Sequence, residues 1–224
     1  LNYTDIRKGR FISRPNRFIA EVEIDGEKEI CHVKNTGRCK ELLLKGSAVV
    51  CEKSPNPARK TRYDLVAVYK GDRLINMDSQ APNRAVLEAI PALFSGVTLI
   101  KPEYSYKSSR IDFYIEASGE KILLEVKGVT LEENNTALFP DAPTERGVKH
   151  INELISALSE GYRACILFLV QMSGADCFRP NRKTHPEFAE ALKKAEREGV
   201  EILAYDTEVT ESSMTVGRRI RTEI

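Results

Sequence analysis

Residues 110–130 read RIDFYIEASGEKILLEVKGVT, two alternating apolar runs on either side of Ser118-Gly119. A two-residue Ser-Gly link between such runs predicts a tight β-hairpin. On the first arm Ile111, Phe113 and Ile115 share one face, leaving Asp112, Tyr114 and Glu116 opposite. On the second, Ile122, Leu124 and Val126 share a face, leaving Leu123, Glu125 and Lys127 opposite. A two-residue turn sets Asp112 across from Glu125, whereas a four-residue turn over 118–121 would set it across from Lys127. Either register gathers two acids and an ammonium on one face.

That grouping is costly for a bare protein. Directly opposed side chains stand about 4.5–5.5 Å apart at Cβ, and like charges there destabilise the pair. A hard divalent cation relieves the repulsion, because Mg²⁺ takes oxygen ligands from one or two carboxylates and keeps several waters. Lys127 would then orient or deprotonate a water and balance charge developing on a phosphate. A solvated strand with alternating charges shares this pattern, but ILLEV is too apolar for one. It puts Glu125 and Lys127 at the end of a buried strand.

An acid, a hairpin and then Glu-X-Lys resembles the PD-(D/E)XK nuclease superfamily. Asp112 matches the first acid and Glu125-Val126-Lys127 the second element; Ile111 stands where a proline is usual. A longer likeness joins it. FISRPNRFIAEVEIDG, HVKNTGRCKELLLKG, RYDLVAVYKG and FPDAPTERGVKHINEL, in that order, resemble the sugar fermentation stimulation protein A family over about residues 11–205. These resemblances imply a restriction-endonuclease-like domain with Asp112, Glu125 and Lys127 as catalytic residues. Asp112, Glu125 and the Val126 carbonyl would hold Mg²⁺ or Mn²⁺, with Glu88 on the preceding helix as a third acidic ligand. They also imply DNA association linked to the expression of sugar-utilisation genes.

Upstream, alternating runs at 18–24, 28–33, 47–53, 63–70 and 73–77 are joined by turn signals, including Asp25-Gly26 and Gly71-Asp72. Five short strands in about eighty residues predict an OB-like closed barrel, a fold that often binds nucleic acid. Its loops carry Arg14, Asn16, Arg17, Asn35, Thr36, Arg38, Arg59, Lys60, Arg62 and Tyr63. Such Arg and Asn side chains suit phosphate oxygens, and Tyr63 would stack a base.

Downstream, MDSQAPN at 77–83 reads as a linker, and a helix follows with Asn83 as its cap and Pro91 near its end. Residues 128–143 read as a long loop leaving the central strand. Thr144 then caps a helix whose start carries Arg146, Lys149 and His150, an arrangement suited to a phosphate. Residues 163–170 form a second buried strand, and Thr184 with Glu187 makes a capping box for a helix closed by Gly199. Residues 200–205 supply a last strand, and the polar tail from Thr207 is expected to fray.

The expected fold is mixed α/β: an N-terminal OB-like five-stranded β-barrel over 1–80, binding nucleic acid, and a C-terminal three-layer α/β restriction-endonuclease-like domain over 81–224. The net charge of +1 predicts no polyanionic partner by itself. Its distribution adds a little, with 16 Lys and Arg against 11 acids in residues 1–80, and 18 against 22 beyond. The five cysteines have no C-x-x-C pairing, and the spacing of Cys31, His32, Cys39 and Cys51 fits no usual zinc site. Reduced thiols point to the cytoplasm, and the longest apolar run, 164–170, is too short for a bilayer. The functional expectation is a DNA-binding protein with a Mg²⁺-dependent phosphodiester-hydrolysing site and little sequence specificity. Its competitor is a non-catalytic DNA-binding regulator.

Overall fold

The structure, a computed structural model, describes residues 1–35, 37 and 39–224. Six strands form the first sheet: β1 (Ile6–Asn16), β2 (Ile19–Ile24), β3 (Glu27–Val33), β4 (Ala48–Lys53), β5 (Tyr63–Lys70) and β6 (Arg73–Asn76). Their order is β3-β2-β1-β4-β5-β6, and β3 pairs again with β5, in parallel, from Cys31–Tyr63 to Val33–Leu65. That last pairing closes a five-stranded barrel and leaves β6 as an extra edge. Asp25 and Gly26 both take positive φ in the β2–β3 turn, as a primed hairpin turn requires.

Strand β1 is the barrel element absent from the sequence expectation. Its eleven residues, IRKGRFISRPN, bury only Phe11, so no apolar alternation marks them. Gly9 lets it lie close on β2, since a Cβ there would sit 2.6 Å from the Glu23 carbonyl oxygen.

The second half begins with α1 (Ala81–Leu93), then β7 (Val97–Tyr106), β8 (Ser109–Ala117) and β9 (Glu120–Val129) in an antiparallel meander. A small hairpin follows, β10 (Leu131–Glu133) with β11 (Thr136–Phe139), and then α2 (Glu145–Leu158) and β12 (Arg163–Val170). The chain closes with β13 (Cys177–Pro180), α3 (Pro186–Glu198), β14 (Glu201–Val209), β15 (Met214–Arg219) and β16 (Arg221–Thr222). The main sheet runs β15-β14-β12-β9-β8-β7, with β9, β12 and β14 parallel at its centre. Strands β9 and β12 are apolar along most of their length because helices cover both faces. On one side Ala85, Val86 and Ile90 of α1 meet Phe113, Leu124 and Leu167. On the other, Ile151 and Leu154 of α2 and Phe188 and Leu192 of α3 meet Leu123, Ile166 and Phe168. This is the expected three-layer arrangement.

Four local expectations are corrected. Residues 128–143 are largely strand rather than loop, since β10 and β11 join β13 and β16 in a second sheet. The polar tail does not fray: β15 pairs with β14 along the sheet edge, where polar outward residues are tolerated. Helix α3 starts after His185 with Pro186 in its first turn, and Thr184 caps nothing. The supposed linker is interior, with Met77, Asp78 and Ala81 fully buried.

That interior segment carries a polar network. Gln171 Nε2 donates to the Asn76 and Asp78 carbonyls, each at 3.1 Å, and the Asn76 amide donates to Tyr3 Oη at 2.8 Å. The Gln171 carbonyl accepts from Asn76 N at 2.9 Å, tying the end of β6 to the end of β12. Buried polar groups are tolerable only when paired in this way.

Candidate metal centre

The β8–β9 ladder runs from Ala117–Glu120 to Phe113–Leu124 across a Ser118-Gly119 turn, which is the two-residue register. Continuing that register places Asp112 beside Glu125, but the backbones no longer pair there. Val126 N donates instead to Asp112 Oδ2 at 2.7 Å. In an extended strand a residue's N–H and C=O point to the same side, so the Val126 carbonyl is also directed toward this gap. Asn83 Nδ2, at the start of α1, donates to Asp112 Oδ1 at 2.7 Å. Two elements therefore fix the Asp112 carboxylate.

Glu125 is held from its own strand and from the opposite layer. Lys127 Nζ donates to its Oε1 at 2.5 Å, and His150 Nδ1 on α2 bonds the same oxygen. Glu125 is 2 % exposed, and its Oε2 is buried with no hydrogen-bond partner. An orphaned carboxylate oxygen in the interior is expensive unless something binds it.

The electrostatics agree. Burial, and then the charge of Glu125, push the Asp112 carboxyl up to about 6, against the hydrogen bonds from Val126 and Asn83. Burial would raise Glu125 as well, but the His150 bond and the Lys127 charge outweigh it, so its carboxyl lies below the usual range. One acid thus ionises readily while its neighbour resists, because burial and the first charge both act against the second. Two carboxylates, a backbone carbonyl and one unfilled buried oxygen fit a hard divalent ion that retains waters. Among the described residues no group of three or more His, Cys, Asp or Glu is arranged for a metal.

Other expected residues sit elsewhere. The Glu88 side chain is 61 % exposed and contacts the Leu1 amino nitrogen at 2.5 Å rather than Asp112, so the third-ligand expectation finds no geometric support. Asn83, five residues earlier, is the α1 side chain that reaches the site; it is not the expected cap, since α1 starts after Gln80 and Asn83 lies in its first turn. His150 is 3 % exposed and turned onto Glu125, so it is not placed to grip a phosphate. Its pairing with Arg146 one helical turn earlier was the available sequence signal. Tyr63 is buried in the barrel at 6 % exposure, leaving no free ring for a base.

The loop residues divide into braces and exposed charges. Arg14 donates to the carbonyls of Gly37, Arg17 and Asn35, and Asn35 donates to the Met77 carbonyl. Asn16 Oδ1 accepts from Phe18 and Ile19 N, shaping the β1–β2 turn. Arg59 clasps Asp64 with two nitrogens at 2.6 and 3.0 Å. Arg17, Lys60, Arg62, Arg146 and Lys149 are exposed to differing degrees, Arg62 beside Glu29 and Lys149 beside Ser108. Thr36 and Arg38 lie outside the described residues. A cavity of about 200 Å³ lined by Asn35, Ser79, Gly128, Asp141 and Gln171 lies between a barrel loop and the strand carrying the site.

Comparison with known proteins follows the same division. Residues 12–77 match the family model described as an SfsA N-terminal OB domain, and residues 80–213 the one described as the sugar fermentation stimulation protein RE domain. A sugar fermentation stimulation protein homolog of Ruminiclostridium cellulolyticum is 58 % identical over 100 % of both chains. One from Desulfitobacterium hafniense is 56 % identical over 97 % of this chain and 96 % of its own. The solved structure of Pyrococcus furiosus SfsA in complex with Ca²⁺ is 32 % identical, covering 100 % of this chain and 98 % of that one, with a TM-score of 0.88. Among the described residues no helix is long and apolar enough to cross a membrane.

Proposed function

We propose that this chain, which belongs to the sugar fermentation stimulation protein family, is a divalent-metal-dependent phosphodiesterase acting on DNA. The observation that carries this reading is the buried, unpartnered Glu125 Oε2 beside an Asp112 whose ionisation is resisted. A pure DNA binder has no use for two inward carboxylates, which repel phosphates unless a cation stands between them. The Ca²⁺ complex of the P. furiosus relative supports a hard-cation site.

Asp112, Glu125 Oε2 and the Val126 carbonyl would hold Mg²⁺ or Mn²⁺. When bound, the cation would supply Lewis-acid polarisation of the phosphodiester. Asn83 and Val126 N–H hold Asp112 in place for that ligand set. Lys127, the partly accessible member of the group, holds the attacking water and balances negative charge as the leaving oxygen departs. Near the start of α2, exposed Arg146 and Lys149 outnumber Glu145 of the first turn and, with the helix dipole, would favour a flanking phosphate. Exposed Arg17, Lys60 and Arg62 on barrel loops would contribute phosphate contacts, which carry no base information.

The test is cleavage of single- and double-stranded DNA with Mg²⁺ or Mn²⁺, wild type against Lys127→Ala. Cutting by the wild type, abolished in the variant while DNA binding persists, is the expected result. Binding without metal-dependent cutting on any of these substrates would leave the non-catalytic regulator as the better reading.

A further inference from the structure

We infer that His150 is a positioning residue for Glu125, held by Arg146 with Nδ1 turned onto Oε1, so that Glu125 presents Oε2 alone to a cation. The inference rests on the proposed metal-dependent reading and adds what decides which oxygen is offered. His150 sits on α2, 3 % exposed, with Nδ1 bonded to Glu125 Oε1. Its other nitrogen, Nε2, lies 3.3 Å from Arg146 Nε. A guanidinium only donates, so Nε2 must accept and carries no proton. The ring proton is therefore on Nδ1, donating to Glu125.

The consequence falls on the carboxylate. Oε1 receives both the His150 donor and Lys127 Nζ, and Oε2 receives none. Without the histidine, Glu125 would be free to rotate either oxygen toward the ion or toward Lys127. Partners of this kind orient a ligand without touching the metal.

Four variants and two readouts test this. In metal-free protein, nitrogen-15 NMR of the His150 ring is expected to show the Nδ1–H tautomer, whether or not the metal reading holds. Calorimetry with Mn²⁺ is expected to show His150→Ala weakened about 10–100-fold, the usual cost of losing such a partner. His150→Asn, whose amide N–H falls where Nδ1–H was, should stay within about threefold of wild type, whereas His150→Gln should resemble the alanine variant. Arg146→Ala changes a residue at the helix surface without threatening the fold, and is expected to release the tautomer and weaken Mn²⁺ several-fold. An Nε2–H or doubly protonated ring, or equal Mn²⁺ affinity in His150→Ala, overturns the inference. A wild type that binds no Mn²⁺ overturns the underlying metal reading instead, while the NMR tautomer still decides for or against the Arg146 lock.

Discussion

Asp112 Oδ2 accepts the Val126 backbone N–H at 2.7 Å, so a side chain takes over where the β8–β9 ladder stops. The two strands part beyond Phe113 and Leu124, and the parting leaves the Val126 backbone donor paired. The same bond gives the Asp112 carboxylate a fixed direction.

The raised Asp112 carboxyl has a thermodynamic consequence in metal-free protein. Its folded value, about 6, exceeds the ordinary 3.8, so the native state holds the proton longer than the unfolded chain does. Its cost is absent below about pH 4, grows as pH rises to about 6, and is constant above. Asp112→Asn removes it. Denaturant titrations with EDTA are expected to show the variant gaining on wild type by about 3 kcal/mol between pH 4 and pH 8. A pH-independent difference would refute the raised Asp112 value.

Glu125 and Glu88 should part company. Glu125→Gln is expected to weaken Mn²⁺ binding at least about tenfold, as loss of a direct ligand should exceed the cost of losing a supporting partner. Glu88→Gln should leave calorimetric affinity unchanged, because its carboxylate faces the Leu1 amine and solvent. Equal losses in both variants would restore Glu88 as a ligand.

In the barrel, burial alone would raise the Asp64 carboxyl, but Arg59 and Lys34 outweigh it and hold it below the usual range. Its stabilisation is therefore full at neutral pH and is lost only as pH falls beneath the ordinary carboxylate range. Asp64→Ala is expected to cost about 1–3 kcal/mol at pH 7, less than a wholly buried pair because Arg59 and Lys34 keep some solvent contact. The gap to wild type should close toward pH 2, and a gap still open there would count against the assignment.

Gly128 lies directly after Lys127, and a Cβ there would stand 2.5 Å from Gln171 Oε1 and 2.7 Å from Pro82 Cγ. Gln171 cannot swing aside cheaply, since its amide nitrogen is held by Asn76 and Asp78. Gly128→Ala is expected to cost about 1–3 kcal/mol, with Gln171→Ala recovering part of it in the double variant. Thermal melts of the three variants read this directly.

The hairpin and the acids it carries were legible because their signals are local: alternation, a Ser-Gly turn and residues two apart on one strand. Strand β1 was not, because Phe11 is its one fully buried side chain and closure of the barrel supplies the rest of its stability. The edge strand β15 reads as polar tail for a similar reason, as its pairing with β14 depends on backbone rather than side chains. Within the site, Asn83 and His150 meet their carboxylates across 29 and 25 residues. No spacing rule reaches that far, and only the stacking of α1 and α2 on opposite faces brings those groups to one strand end.

The segment joining barrel to sheet, from Asn76 to Ala81, is largely buried and bonded on both sides. A tether absorbed into the interior leaves no joint about which the halves can swing. The span from the barrel's exposed arginines to the acidic pair is then a built-in length, set like the jaw of a fixed gauge. Anything that touched both at once would have to match that length, because closure of the protein would not adjust it.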